Sequence, residues 1–80
     1  MNFKQLTYFI AVAEELHFGR AAERLNMAQP PLSRQIKQLE EELEATLFNR
    51  GRSAISLTQA GERLLQRGKS IMTQLEDTRL

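Results

Sequence analysis

Apolar residues along the chain fall into runs of different period, and the period names the element. Between Phe3 and Leu16 the positions Leu6, Phe9, Ile10 and Ala13 recur at i, i+3, i+4 and i+7, the stripe of an amphipathic helix with one face on a core. Phe18, Ala21, Ala22 and Leu25 repeat that spacing over a shorter stretch, and Asn26 marks its end, so a short second helix is predicted. Its start is weakly signalled, because His17 is not one of the preferred capping residues and Gly19 is a poor helix former. After Asn26-Met27-Ala28, the run Gln29-Pro30-Pro31 opens a third helix, since proline is tolerated in a first turn whose N–H groups lack partners. Leu32, Ile36, Leu39 and Leu43 then lie within about 40° of the Leu32 direction and form the predicted buried stripe.

From residue 46 to 57 the helical period stops. Leu47 and Phe48 are followed by Asn49-Arg50-Gly51-Arg52-Ser53, then by Ile55 and Leu57 flanking polar Ser56, which predicts a small hairpin. Thr58 is placed to cap a last helix. Gly61, Leu64, Gly68, Ile71 and Leu75 alternate steps of three and four along it, the seam of two helices packed together. A helix from Thr58 to Leu80 is ~34 Å long, more than so small a domain needs. The seam therefore predicts a dimer through Leu64, Gly68, Ile71 and Leu75; the alternative is a helix folded back on its own domain. The fold class expected is mainly α: a winged helix-turn-helix of three helices and a β-hairpin wing over residues 1–58, with the helix-turn-helix at 18–37 and the wing at 46–57, and a linker helix at 59–80. The last residues, Asp77-Thr78-Arg79-Leu80, carry no capping glycine or proline, so a longer protein is expected.

Composition narrows the function. The 80 residues are 41% hydrophobic and 26% charged, an ordinary globular balance. With no cysteine and a single histidine, His17, there is no disulfide framework and no metal site, and His17 reads as a helix-junction residue. No apolar run approaches the ~18 residues that cross a bilayer and no signal-peptide pattern opens the chain, so a cytoplasmic protein without membrane contact is expected. No nucleophile-base pair or glycine-rich phosphate loop supports an enzyme. Net charge is only +1, yet the charges are sorted: Arg20, Arg24, Arg34, Lys37, Arg50 and Arg52 run through the middle of the chain, while Glu40, Glu41, Glu42 and Glu44 sit together.

Two short helices joined by a tight turn, the second opening on polar residues, form the arrangement that sets a recognition helix in a major groove. On the wheel Arg34 points nearly opposite Leu32, with Pro30, Ser33, Lys37, Gln38 and Glu41 on the same outward arc. An arginine there can offer a bidentate fork to guanine. The acidic second half of the helix opposes the helix dipole, and a DNA reading explains it as a region kept outside the groove. The competing view is a helical protein-interaction module that uses its last helix and never meets DNA.

These residues carry a resemblance. Tyr8-Phe9-Ile10-Ala11-Val12-Ala13-Glu14, Ala21-Ala22, Leu25, Gln29-Pro30-Pro31-Leu32-Ser33-Arg34-Gln35-Ile36, Leu39-Glu40, Leu47-Phe48-Asn49-Arg50 and Leu57-Thr58-Gln59-Ala60-Gly61 resemble the LysR-type transcription regulators over nearly the whole chain. The resemblance implies sequence-specific binding of a double-stranded DNA operator, with Gln29, Pro30, Ser33 and Arg34 at base edges and Arg20, Pro31, Lys37 and Arg50 at the backbone. It implies a wing near the minor groove through Arg52 and Ser53, where the family usually has its second wing arginine at the place of Ser53. Arg52 therefore reads either as that arginine or as a solvent-facing one. Glu44 stands where glycine is usual: either the helix ends there in a left-handed conformation or it runs on. The resemblance further implies a homodimer through the last helix, tetramers in full-length relatives, no cofactor in this stretch, and a small-molecule inducer bound by a separate effector domain outside these residues.

Overall fold

The computed structural model describes residues 1–79. Helix α1 runs from Phe3 to Glu15, α2 from Phe18 to Arg24, α3 from Gln29 to Leu43 and α4 from Gln59 to Asp77, with strands β1 (Phe48–Arg50) and β2 (Ile55–Leu57) between the last two helices. Each predicted element is present.

Helix α1 is the centre of the molecule. Leu6, Phe9, Ala11, Val12 and Ala13 are all buried on it, more than one stripe, because α2, α3 and α4 all pack around it. Ile10, expected in the stripe, is only partly buried. Asn2 starts α1 by accepting the Gln5 N–H at 2.8 Å, and Leu16 ends it in the left-handed region at φ 50°.

The start of α2 departs from expectation, since His17 is its cap: the imidazole Nδ1 accepts the Arg20 N–H at 3.0 Å. Any side-chain acceptor placed beside those free N–H groups can serve. Gly19 explains itself here, because a Cβ on it would stand 2.9 Å from the imidazole Cε1. The turn into α3 is made by Asn26 at φ 56°, with the Met27 N–H returning to the Ala22 carbonyl at 2.9 Å. This i to i−5 bond closes a helix end around a left-handed residue, a conformation asparagine tolerates better than most. Ala28 precedes α3 without a side-chain cap, and the prolines of the first turn have no N–H to satisfy.

Leu32, Ile36 and Leu39 have no exposed surface, but Leu43 is 38% exposed; the buried stripe of α3 is one leucine shorter than its spacing suggests, because the chain turns away at Glu44. Glu44 ends the helix at φ 52°, and the Ala45 N–H returns to the Glu40 carbonyl at 3.1 Å. Of the two outcomes open at this position, the helix takes the left-handed stop.

Strands β1 and β2 pair antiparallel, Phe48 opposite Leu57 and Arg50 opposite Ile55. Phe48 anchors the hairpin: it is 1% exposed, its ring centroid is 5.4 Å from that of Phe9, and Phe18 meets it edge-on at 6.1 Å. Thr58 caps α4 by accepting the Gly61 N–H at 3.0 Å and donates its hydroxyl proton to the Thr46 carbonyl at 2.6 Å.

The seam expected on α4 divides in two. A Cβ on Gly61 would stand 2.2 Å from the Leu47 carbonyl oxygen, and one on Gly68 would stand 2.9 Å from Leu6 Cδ1, so both glycines serve close approach inside the domain. Leu64 packs against the same core. Only farther along do Ile71 (39%) and Leu75 (44%) lie exposed. The first half of this helix thus takes the folded-back arrangement, held as far as Lys69, which reaches Glu14 of α1, while Ile71 and Leu75 keep open surface on the remainder. No helix among the described residues is long and apolar enough to cross a membrane.

Candidate nucleic-acid interface

The buried back of α3 fixes what its front presents. With Leu32, Ile36 and Leu39 sealed against the core, Gln29, Pro30, Arg34, Lys37, Gln38 and Glu41 are exposed, while Pro31 and Ser33 are half-buried. Arg34 stands in the open as the wheel required. Arg20, on α2, is exposed as well, and so are Arg50, Arg52 and Ser53 of the hairpin.

Two grooves gather these residues. One, of about 530 Å³, lies between the start of α2, the first residue of α3 and the hairpin tip; Arg20, Gln29, Arg52 and Ser53 line it together with His17 and Gly19. The other, of about 340 Å³, lies between α3 and β1 and is lined by Ser33, Lys37, Glu40 and Arg50. Pro30 and Arg34 line neither and face outward on α3. One side of the molecule thus carries a projecting helix flanked by grooves with basic walls.

The only ion-paired cation on this side, among the described residues, is Arg50, which meets Glu40. Among the described residues Arg20, Arg34, Lys37 and Arg52 have no carboxylate within pairing distance, whereas Arg24 holds Glu14 at 2.7 Å and Glu15 at 3.2 Å, and Lys69 holds Glu14 at 3.0 Å. The hydrogen bond from Arg24, then that from Lys69, keeps the Glu14 carboxyl below the usual carboxylate range, and Glu14 in turn raises the Arg24 guanidinium. A small net charge therefore hides a face of unpaired cations, and the local field follows the distribution.

Sequence reasoning missed two features of the site. The first is the cap from His17, which sits in the wall of the larger groove. The second is Glu40. Grouped by sequence with Glu41, Glu42 and Glu44 as an acidic end, it is set apart by the structure: its side chain is 13% exposed against 53% for Glu42. Its Oε2 accepts the Leu47 N–H at 2.7 Å and the Phe48 N–H at 3.4 Å, and its Oε1 takes Arg50 Nη2 at 3.4 Å. Arg50 also lies over the Phe18 ring, 5.6 Å from its centroid. The available signal was position: Glu40 directly follows the most deeply placed leucine of the second half of α3.

Comparison with known proteins agrees with this geometry. Residues 3–62 match the model of the family described as bacterial regulatory helix-turn-helix protein, lysR family. The HTH-type transcriptional regulator AlsR of Bacillus subtilis (strain 168) is 57% identical over 75 residues, which are 94% of this chain and 25% of that protein; the chain spans about a quarter of the length of such curated relatives. Among solved structures, the BenM DBD/benA site 1 DNA complex superposes with a TM-score of 0.92 at 42% identity, over 96% of this chain and 86% of that one. The CbnR DBD–DNA complex gives 0.92 at 41% identity, over 98% and 90%. Matched over most of its length by the family model and by close relatives, with the winged helix-turn-helix architecture of the solved members, the chain belongs to the LysR family of bacterial regulatory helix-turn-helix proteins.

Proposed function

We propose that this chain binds double-stranded DNA with sequence preference, α3 entering the major groove and the β1–β2 wing lying near the adjacent minor groove, as the DNA-reading part of a transcription regulator. The observation that carries the reading is the division of α3, whose Leu32, Ile36 and Leu39 have no exposed surface while Arg34, Lys37 and Gln38 stand free on the opposite face. Gln29, Pro30, Ser33 and Arg34 face base edges. Arg20, Lys37 and Arg50 face the sugar-phosphate backbone from the groove walls, Pro31 faces it from the first turn of α3, and Arg52 with Ser53 forms the wing tip. The two solved structures described above are themselves DNA complexes, which supports the same orientation here.

The reading includes a homodimer on a near-palindromic site, paired through the open half of α4, where Ile71 and Leu75 are exposed. Leu64 and Gly68 contribute indirectly by seating α4 on its own domain. A small-molecule inducer belongs to a part of the protein beyond these residues.

Selection of bound sequences from random duplex, repeated with Arg34→Ala, tests the assignment. Specificity is expected to relax at one base position per half-site, with a loss of about 1–3 kcal/mol there. Affinity is expected to fall steeply with salt, log K dropping by ~0.9 for each phosphate neutralised. A variant that selects the same site at the same strength removes Arg34 from the readout, and salt-insensitive binding removes DNA as the partner.

A further inference from the structure

Glu40 stands where the recognition helix, the wing and the smaller groove meet. On α3 it lies one turn beyond Lys37 and two turns beyond Ser33, the residues with which it lines that groove. One carboxylate oxygen holds the Leu47 and Phe48 N–H groups at the entry to β1. The other holds the Arg50 guanidinium, which would otherwise be free, as Lys37 is, to meet a phosphate in the same groove. A carboxylate and a phosphate are interchangeable partners for the planar fork of arginine. Arg50 is 45% exposed on its side chain and Glu40 only 13%, so the arginine can turn to an incoming anion while the carboxylate stays seated.

We propose that Glu40 is a positioning residue with two effects on DNA binding: it fixes the wing against the recognition helix, and it competes with the DNA backbone for Arg50. This rests on the DNA-binding reading above. The competition lowers affinity for every duplex alike, because phosphate carries no sequence information. The anchoring keeps the wing at a fixed distance from α3, so that a sequence read in the major groove and a shape read beside it are sampled in one register. A free Arg50 with an unanchored wing would bind more tightly and discriminate less.

The experiment separates the two oxygens. Glu40→Gln leaves an amide oxygen of the same size to accept the Leu47 N–H but removes the charge that holds Arg50. Binding to a random-sequence duplex is measured by fluorescence anisotropy for the wild type, Glu40→Gln, Arg50→Ala and the double variant. The expected result is an affinity gain of about two- to fivefold for Glu40→Gln, the factor set by releasing a partly exposed ion pair, with most of that gain lost when Arg50 is alanine. A purely structural role for Glu40 gives a loss of affinity. An equal gain with and without Arg50, a loss, or no change overturns the competition. Amide hydrogen exchange at Leu47 and Phe48, read without DNA, tests the anchor: faster exchange in Glu40→Ala than in Glu40→Gln, beyond any change in global stability, is expected, and equal protection in the two variants overturns it. If the wild type binds no duplex at all, the DNA reading itself fails rather than this refinement of it.

Discussion

At the N-terminus of α2 a histidine takes the place usually held by serine, threonine or aspartate. The bond it accepts at Nδ1 requires the tautomer with its proton on Nε2, because a nitrogen bearing a proton has no lone pair to give. His17→Ala removes that partner and is expected to cost about 1 kcal/mol of stability, as cap removals do, whereas His17→Ser retains it; urea denaturation of the two variants checks the difference. Gly19 is coupled to this cap. A methyl group there would stand 2.9 Å from the ring, so Gly19→Ala is expected to destabilise the protein while His17 is present. In a His17→Ser background the ring is gone, and the same change is expected to stabilise by up to about 1 kcal/mol, the helix-propensity difference between the two residues. A cycle with no change of sign would mean that Gly19 is set by something other than the imidazole.

Among the elements, those whose signal is periodic were legible and those whose signal is a single contact were not. The stripe Leu32, Ile36 and Leu39 predicts both the burial of α3 and the exposure of Arg34, because a 3.6-residue period fixes opposite faces together. Leu43 obeys the period yet is half-exposed, since a stripe does not say where the core ends. The cap at His17 and the anchor at Glu40 rest on pairings between distant or unusual partners, and no local spacing encodes them. The glycines of α4 show the same limit, for both fit a seam of close approach while the sequence leaves the approaching group unnamed. They are expected to respond differently to alanine. At Gly61 the obstacle is the Leu47 backbone carbonyl, 2.2 Å from the new Cβ, which cannot move without shifting the wing, so Gly61→Ala is expected to cost about 1–3 kcal/mol or more. At Gly68 the obstacle is the tip of the Leu6 side chain at 2.9 Å, which can change rotamer, and the gain of roughly 1 kcal/mol in helix propensity offsets that adjustment. Thermal melts of the two variants are expected to differ by many degrees.

In the whole molecule, charge and apolar surface are partitioned between sides. Glu14 joins α1, α2 and α4 through Arg24 and Lys69, and its lowered carboxyl stabilises the folded state at pH values above the ordinary carboxylate range; this contribution is lost as pH falls through the lowered value. Because both cations are largely exposed, Glu14→Gln is expected to cost less than about 1 kcal/mol near neutral pH and nothing in acid, where denaturation curves of variant and parent converge. The apolar counterpart is the open half of α4. Ile71 and Leu75 are exposed one turn apart, on a helix that leaves the domain and stretches the molecule to 45 Å in its longest dimension. In a twofold pair both residues occur twice, and covering the roughly two-fifths of each that is still exposed is worth about 0.6–1.2 kcal/mol per side chain. Replacing both with lysine is therefore expected to weaken association by more than about a hundredfold, since every 1.4 kcal/mol is a factor of ten, and sedimentation equilibrium reads that change directly. The melting of the monomer is expected to stay as it was, because neither side chain belongs to the core that Leu64 and Gly68 complete. DNA affinity for a single half-site is expected to persist while affinity for the paired site collapses towards it, as linking two sites raises apparent affinity without new contacts. A doubly substituted chain that still sediments as a dimer would place the pairing surface elsewhere, and the spacing of half-sites would then not be set by α4.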